Sequence, residues 1–306
     1  MLRLWNQLGE KRTARLLADH EVARFRETVL GFYRENGRDL PWRRTRDPYR
    51  ILVSEIMLQQ TQVSRVLARY DVFLDRFPDL ETLASSSRAD VLSAWQGLGY
   101  NRRALALHAA AEIVTTRHGG KLPRSQDALR SLPGVGPATA GAIAAFAYGE
   151  PVPYIETNIR AAIIHHFFTE GSQIPDREVI RFVEVTLDVD DPRTWYYALM
   201  DYGSWLKKVQ TNPSRRSRHH VVQSPFPGSR RQLRAEMLRL FLEGAPATTE
   251  GARAGGADRP VSRSRSFSLA QLNSLLPGWD EEQVREVADL LNEEGFLKKD
   301  GGFSLA

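Results

Sequence analysis

The chain has 306 residues, a formal net charge of +5 and no cysteine. The missing thiols exclude disulfides, thiol catalysis, zinc–thiolate sites and iron–sulfur clusters, and the mild basic excess suits an anionic partner. No apolar run reaches the roughly 18 residues of a membrane span and no signal-peptide core opens the chain, so a cytoplasmic protein of two or three domains, with no membrane partner, is expected.

Residues 1–20 are mixed and basic, an N-terminal extension without a functional pattern. Val22, Phe25, Val29, Phe32 and Tyr33 recur at helical spacing and predict an amphipathic helix ending near Gly37. Arg38, Arg43, Arg44 and Arg46 then crowd around Trp42 in a loop that is either a solvated basic stretch or a contact for an anion. Asp47-Pro48 is a cap followed by an N1 proline, and the helix it opens runs to about Gln60. Glu55 sits on that helix among Ile51, Leu52 and Leu58. A lone carboxyl buried there should rise in pKa and hold its proton near neutrality, as a general acid must; an exposed edge or an arginine partner would undo this. Gln59-Gln60-Thr61 closes the helix with polar groups. Further helices over 63–77, 80–86, 89–96 and 102–118 are broken by Pro78 and by Gly97-Leu98-Gly99-Tyr100, where Tyr100 is either exposed or packed on Trp95. The pattern is all-α up to the C-terminal tail.

Ser125 to Leu132 predicts a short helix, stopped by Pro133-Gly134-Val135-Gly136-Pro137. Both glycines can supply the positive φ of a tight hairpin, and Pro137 suits the first turn of a second helix. The free N–H groups at that start make an anion site or an ordinary helical turn. Glu156 and Asn158 follow about twenty residues on, and His165-His166 on the next apolar helix is expected to be packing. After a helix over 195–206, Lys207, Lys208, Arg215, Arg216 and Arg218 open a basic stretch, 207–231, which is a solvated run or a docking site for phosphates by counterion release. Residues 232–306 hold three predicted helices (232–242, 269–276, 281–292), a mobile insertion at 244–266, and two short strands about Asp300-Gly301-Gly302. Together they look like a winged helix. The acidic last helix favours packing or a protein partner over DNA reading.

Leu40 to Arg43, Ser54 to Thr61, Gly97 to Tyr100 and the hairpin Leu132 to Gly141 occur in that order. They resemble the motifs of the helix–hairpin–helix DNA glycosylase superfamily, in particular its A/G-specific adenine glycosylase branch, over roughly Arg24 to Gly203. The resemblance implies an all-α, bilobal glycosylase domain over 21–206. Its six-helix lobe covers about 52–149 and its second lobe 21–51 plus 150–206, with double-stranded DNA in the groove between. It implies Glu55 as general acid and Glu156 as the second catalytic carboxyl, at a position where the family writes aspartate. Gln60 and Tyr100 would fill the stack vacated by the flipped base, with Thr61 beside them. Arg38, Trp42, Arg43 and Leu58 would border the base pocket, and Asn158 would orient Glu156. Gly134, Val135, Gly136 and Thr139 would hold phosphate, and a monovalent cation would sit on the hairpin carbonyls. Ala138 stands where the strand-cutting branch has its Schiff-base lysine, so a monofunctional enzyme without lyase activity is expected. Lys207 stands about where the first of four cluster cysteines belongs.

The reaction needs one acid to protonate the leaving base and one ionised acid facing the sugar, the logic of glycoside hydrolysis. Glutamate at 156 lengthens the side chain by one methylene, shifting the carboxylate by roughly 1–1.5 Å, and errors of about 1 Å can cost on the order of 10²-fold in rate. The pocket is then reshaped for another base, or the enzyme is a slow adenine glycosylase, or catalysis is lost. The expected function is hydrolytic removal of a flipped base by a monomer, adenine first, then hypoxanthine or thymine and uracil opposite guanine. A non-catalytic DNA-binding or damage-sensing protein is the competing class.

Overall fold

The computed structural model describes residues 17–221, 224–243 and 265–306. Most of the N-terminal extension and nearly all of the insertion at 244–266 therefore lie outside the described residues. Helix α1 (Asp19–Asn36) buries Phe25 and Val29 and ends at Gly37, whose N–H donates to the Tyr33 carbonyl at 2.8 Å. A 3-10 turn at Pro41–Arg43 leads into α2 (Pro48–Leu58), where the Asp47 carboxylate caps the start by accepting from Tyr49 N at 2.8 Å. Helices α3 (Val63–Arg76), α4 (Leu80–Ser85), α5 (Arg88–Ala94), α6 (Arg102–Arg117), α7 (Gln126–Arg130) and α8 (Pro137–Tyr148) follow. Helix α2 packs on α3, α6 and α8, while α4 and α5 close on α6 and α7 on α8. This group begins at Pro48 rather than Leu52, and counting α2 it holds one helix more than expected.

A second group forms from α1 with α9 (Thr157–Phe167), α10 (Asp176–Thr186) and α11 (Pro192–Val209). Two glycines set its geometry. A Cβ on Gly203 of α11 would lie 2.0 Å from the Asn158 carbonyl oxygen, so only glycine lets α11 close on the start of α9. A Cβ on Gly141 of α8 would lie 2.5 Å from that of Tyr154, in the segment entering α9.

The loop before α2 is fixed to α11 by a buried carboxylate. Asp201 accepts from Arg43 Nη1 and Nη2, both at 2.8 Å, and from the backbone N–H and Nε of Arg38 at 2.8 and 2.6 Å. Burial alone would push the Asp201 carboxyl up, but the bonds from Arg43 and Arg38 outweigh it and hold the group below the usual range. Trp42 is 3% exposed and meets Tyr70 edge-on. It packs into the hydrophobic core.

The basic stretch keeps its shape without thiolate ligands. Its 3-10 turn, Pro213–Arg216, packs on α9, and Ile174 exchanges bonds with it: Ile174 N to Arg216 O at 2.9 Å, Arg218 N to Ile174 O at 3.0 Å. The Arg216 guanidinium donates to the carbonyls of Phe168 at 2.6 Å and Gly171 at 2.9 Å. Arg216 therefore anchors the end of α9, while Lys208, Arg215 and Arg218 are exposed.

The C-terminal unit comprises α12 (Arg230–Glu243), α13 (Leu269–Leu275), α14 (Glu281–Glu293), β1 (Leu297–Lys299) and β2 (Phe303–Leu305). Ser268 and Asp280 begin α13 and α14 with capping boxes. The strands pair antiparallel, Lys299 opposite Phe303, and Phe267 adds a third short rung by exchanging two 2.8 Å bonds with Phe303. Helices with a small wing give a winged-helix-like unit. It docks through α12 against α5, and Glu294 receives Arg102 of α6 and Arg234 of α12. No helix among the described residues is long and apolar enough to cross a membrane.

Candidate active site

Glu55 lies near the C-terminal end of α2, between buried Ser54 and Ile56, and is itself half-buried. No described residue gives its carboxyl a hydrogen bond or an ion pair. Burial pushes the group up to about 8, the negative charge of Glu156 adds to the rise, and Arg43 opposes it. At neutral pH Glu55 accordingly carries a proton it can donate.

Glu156 comes from the other helical group, where it is the N-cap of α9. Its Oε1 accepts from the backbone N–H groups of Asn158 at 2.7 Å and Ile159 at 2.8 Å, and its Oε2 accepts from Asn158 Nδ2 at 3.0 Å. Glutamate is an unusual cap, and the extra methylene is taken up by folding the side chain back over the helix end. Three N–H donors and the positive end of α9 are an environment built for an anion. Asn158 is thus held directly against the carboxylate. Lys207, half-buried on α11 one turn beyond Gly203, is near enough that the Glu156 charge opposes the lowering of its ammonium by burial. It faces the site rather than the outer surface of the basic stretch.

Gln60 and Tyr100 lie on neighbouring loops, both exposed. The buried Arg103, which sequence reasoning missed, joins the loops. Its guanidinium donates to the carbonyls of Ile56 and Met57 at 2.9 Å, to Thr61 Oγ1 at 2.8 Å, and to the Gly99 carbonyl at 3.0 Å. It also lies 5.5 Å from the centroids of both the Trp95 and Tyr100 rings. A signal was present: two arginines at the start of α6 oppose the helix dipole and call for another reason to be there. Thr61 is therefore a loop fastener, its hydroxyl donating to the Leu98 carbonyl at 3.2 Å.

In the hairpin only Gly134 takes a positive φ, +78°. Gly136 is the extended N-cap of α8, with φ −82°, so the expectation that both glycines turn is corrected. Val135 is buried and spends its N–H on the Leu132 carbonyl at 3.1 Å, and Thr139 is buried and accepts from Gln59 Nε2 at 3.1 Å. Neither side chain is available to phosphate. The first-turn N–H groups of α8, at Ala138 and Thr139, remain without intrahelical partners, as at any helix start. For a monovalent cation, the Leu132 and Gly134 carbonyls each accept one hydrogen bond and keep a second lone pair, a donor set that fits such an ion. No cluster of His, Cys, Asp and Glu among the described residues could hold a metal. Arg38 and Arg43 border the site but are committed to Asp201, and Leu58 is half-buried at the end of α2. Tyr154 and Tyr197, both buried, stand near Glu55 and were not anticipated. His166 packs on Phe25 and meets the Tyr202 hydroxyl at 2.8 Å.

Each of the two helical groups thus contributes one carboxyl, and the glycine hairpin lies between them in the chain. Residues 53–185 match the model of the HhH-GPD superfamily base excision DNA repair protein. The chain is 32% identical over 266 residues to an adenine DNA glycosylase of Mycolicibacterium smegmatis, covering 81% of this chain and 91% of that one, and it belongs to this superfamily. Its curated relatives also include the adenine DNA glycosylases of Mycobacterium tuberculosis, 46% identical over 187 residues, and of Homo sapiens, 42% identical over 148. Those two alignments cover 60% and 45% of this chain, and span 62% and 27% of the relatives' length. Among solved structures, a thermostable thymine-DNA glycosylase aligns with a TM-score of 0.57 at 26% identity, covering 64% of this chain and 91% of that one. A trapped endonuclease III–DNA intermediate aligns at 0.54 with 16% identity, over 70% of this chain and 93% of that one, a likeness of fold alone.

Proposed function

We propose that this protein is a monofunctional DNA glycosylase that hydrolyses the bond between sugar and a flipped base, adenine first, in double-stranded DNA. The observation that carries the reading is the pairing of Glu55, protonated at neutral pH, with Glu156, an anion fixed at a helix start. Glu55 gives its proton to a ring nitrogen of the base. The C1′–N bond breaks with its electron pair passing to the base, and the Glu156 carboxylate faces the positive charge left on the sugar. Water adds at C1′ and its proton passes to Glu156, leaving an abasic site. The anchored carboxylate at 156 favours a working site over a degraded one.

Gln60 and Tyr100 fill the vacated stack, while the start of α8 and the exposed Lys208, Arg215 and Arg218 hold the backbone. Ala138, unable to form a Schiff base, supports hydrolysis without strand cleavage. We divide the chain into a glycosylase domain ending near 206, a basic connection, and a C-terminal unit whose ion pairs with α6 suit a packing role better than a DNA-reading one. That unit also offers the surface for a protein partner, and the protein acts as a monomer.

A panel of duplexes carrying adenine, hypoxanthine, thymine or uracil in mismatches, followed by alkali, tests the reading. Alkali-labile product from wild type that vanishes in Glu55→Gln is the expected result. Tight binding without product from any duplex would make the protein a sensor. The likeness to a thymine-DNA glycosylase favours thymine opposite guanine as the second substrate.

A further inference from the structure

The Tyr100 hydroxyl has a partner from the C-terminal unit. Arg231, at the start of α12, donates to it from Nη1 at 3.3 Å, while Nη2 of the same residue holds the carbonyls of Ser224 at 2.5 Å and Pro225 at 3.4 Å. The guanidinium carbon lies 6.0 Å from the centroid of the Phe226 ring. Tyr100 and Phe226 are 39% and 51% exposed, so this arginine links two aromatic side chains that are open to solvent.

Helix stability does not explain the residue. Helix α12 opens with Arg230-Arg231 and has no acidic group in its first turn, although the start of a helix favours negative charge. Arg230 offsets that cost by pairing with Glu286 of its own unit at 2.5 Å. Arg231 instead reaches across to the loop of Tyr100. Its place there is fixed from outside, because Arg102, two residues beyond Tyr100, pairs with Glu294, and α12 packs on α5.

The hydroxyl is the outermost atom of a tyrosine side chain. A cation bonded to it stands at the leading edge of the Tyr100 loop, where a duplex must lie if Tyr100 fills the vacated stack. We propose that Arg231 grips a backbone phosphate of the duplex beside Tyr100, an inference that rests on the glycosylase reading above. As the ring enters the stack, the bond from Nη1 passes from the phenol to a phosphate oxygen, a neutral acceptor exchanged for a charged one. The contact holds the backbone and reads no base. The packing of the C-terminal unit against α5 and α6 thereby serves to carry one cation to the DNA.

Binding of the full chain to a duplex holding a tetrahydrofuran abasic-site analogue, measured across a salt series, tests this. Arg231→Met should weaken binding about tenfold at low salt and lower the slope of log affinity against log salt by about 0.9, the share of one phosphate. Arg231→Lys, which keeps the charge, should restore the slope. Arg230→Met should keep the wild-type slope and lose no more than about twofold in affinity, since Arg230 is tied to Glu286. An unchanged slope in Arg231→Met overturns the proposal, because the arginine then serves packing alone. An equal loss in Arg230→Met also overturns it, because net charge rather than place would be responsible. Failure of Arg231→Met to fold would mark the arginine as a structural strut and overturn it as well. Wild type that excises no base from any duplex is a different failure, that of the glycosylase reading.

Discussion

Gln60 and Tyr100 share a backbone conformation that side-chain-bearing residues seldom adopt, with φ of 54° and 48°. Left-handed backbone on such residues costs of order 1–3 kcal/mol and persists only where the surroundings enforce it. Arg103 does the enforcing, since one guanidinium holds the Gln59 carbonyl on one loop and the Gly99 carbonyl on the other. Gln60→Gly should therefore melt at or above wild type, by up to about 1 kcal/mol, while excision from duplex falls at least tenfold. Calorimetry beside single-turnover kinetics would show the two effects diverging. Variants that lose both together would remove the wedge assignment.

Arg103→Met keeps the apolar stem but leaves several carbonyls without a donor. Each unsatisfied buried acceptor costs about 1–3 kcal/mol, so a loss of about 2–4 kcal/mol in urea unfolding is expected. Duplex affinity should fall as well, because the loops lose their common fastener.

The pH behaviour of Glu55 has a definite sign. Its folded pKa, about 8, lies above the ordinary carboxyl value, so the folded state binds the extra proton between pH 4.5 and 8 and stability declines as pH rises through that window. Glu55→Gln should melt higher than wild type at pH 8, by roughly 1–3 kcal/mol, with the gap closing toward pH 5. Excision by wild type should fall as pH rises through about 8, where the acid ionises.

Glu156→Asp separates capping from catalysis. Aspartate is a preferred N-cap, so melting should stay within about 1 kcal/mol of wild type. The carboxylate retreats by about 1 Å, and the rate should fall on the order of 10²-fold if the pocket fits the longer side chain. A rise in adenine excision would instead mark glutamate as a handicap.

Glu294 is largely shielded between the exposed Arg102 and the half-buried Arg234, so removing it leaves the Arg234 guanidinium without its carboxylate at the seam between α6 and the C-terminal unit. Glu294→Ala should cost about 1–3 kcal/mol and expose the seam to limited proteolysis. Unchanged cleavage would mean that the apolar contact of α12 with α5 suffices.

The sequence made local features legible and left distant pairings hidden. Glu55 stood out because an acid in an apolar helical stripe breaks a pattern, and the hairpin because proline and glycine fall at fixed offsets in Pro133 to Pro137. The basic loop misled, since nothing near Arg43 announces an Asp201 more than 150 residues away. Arg216 looked like another free charge until Phe168 and Gly171 supplied its acceptors. Tyr154 gave no sign, because an aromatic among Val, Pro and Ile reads as core.

The bridge between Ile174 and Ser217, with Arg216 knotted onto the end of α9, has a consequence for how this protein endures. Its basic connection is closed by ordinary amide and guanidinium bonds, which peroxide does not strip and chelators do not empty. The proposed backbone-holding surface should therefore keep its form where iron is scarce or peroxide is present.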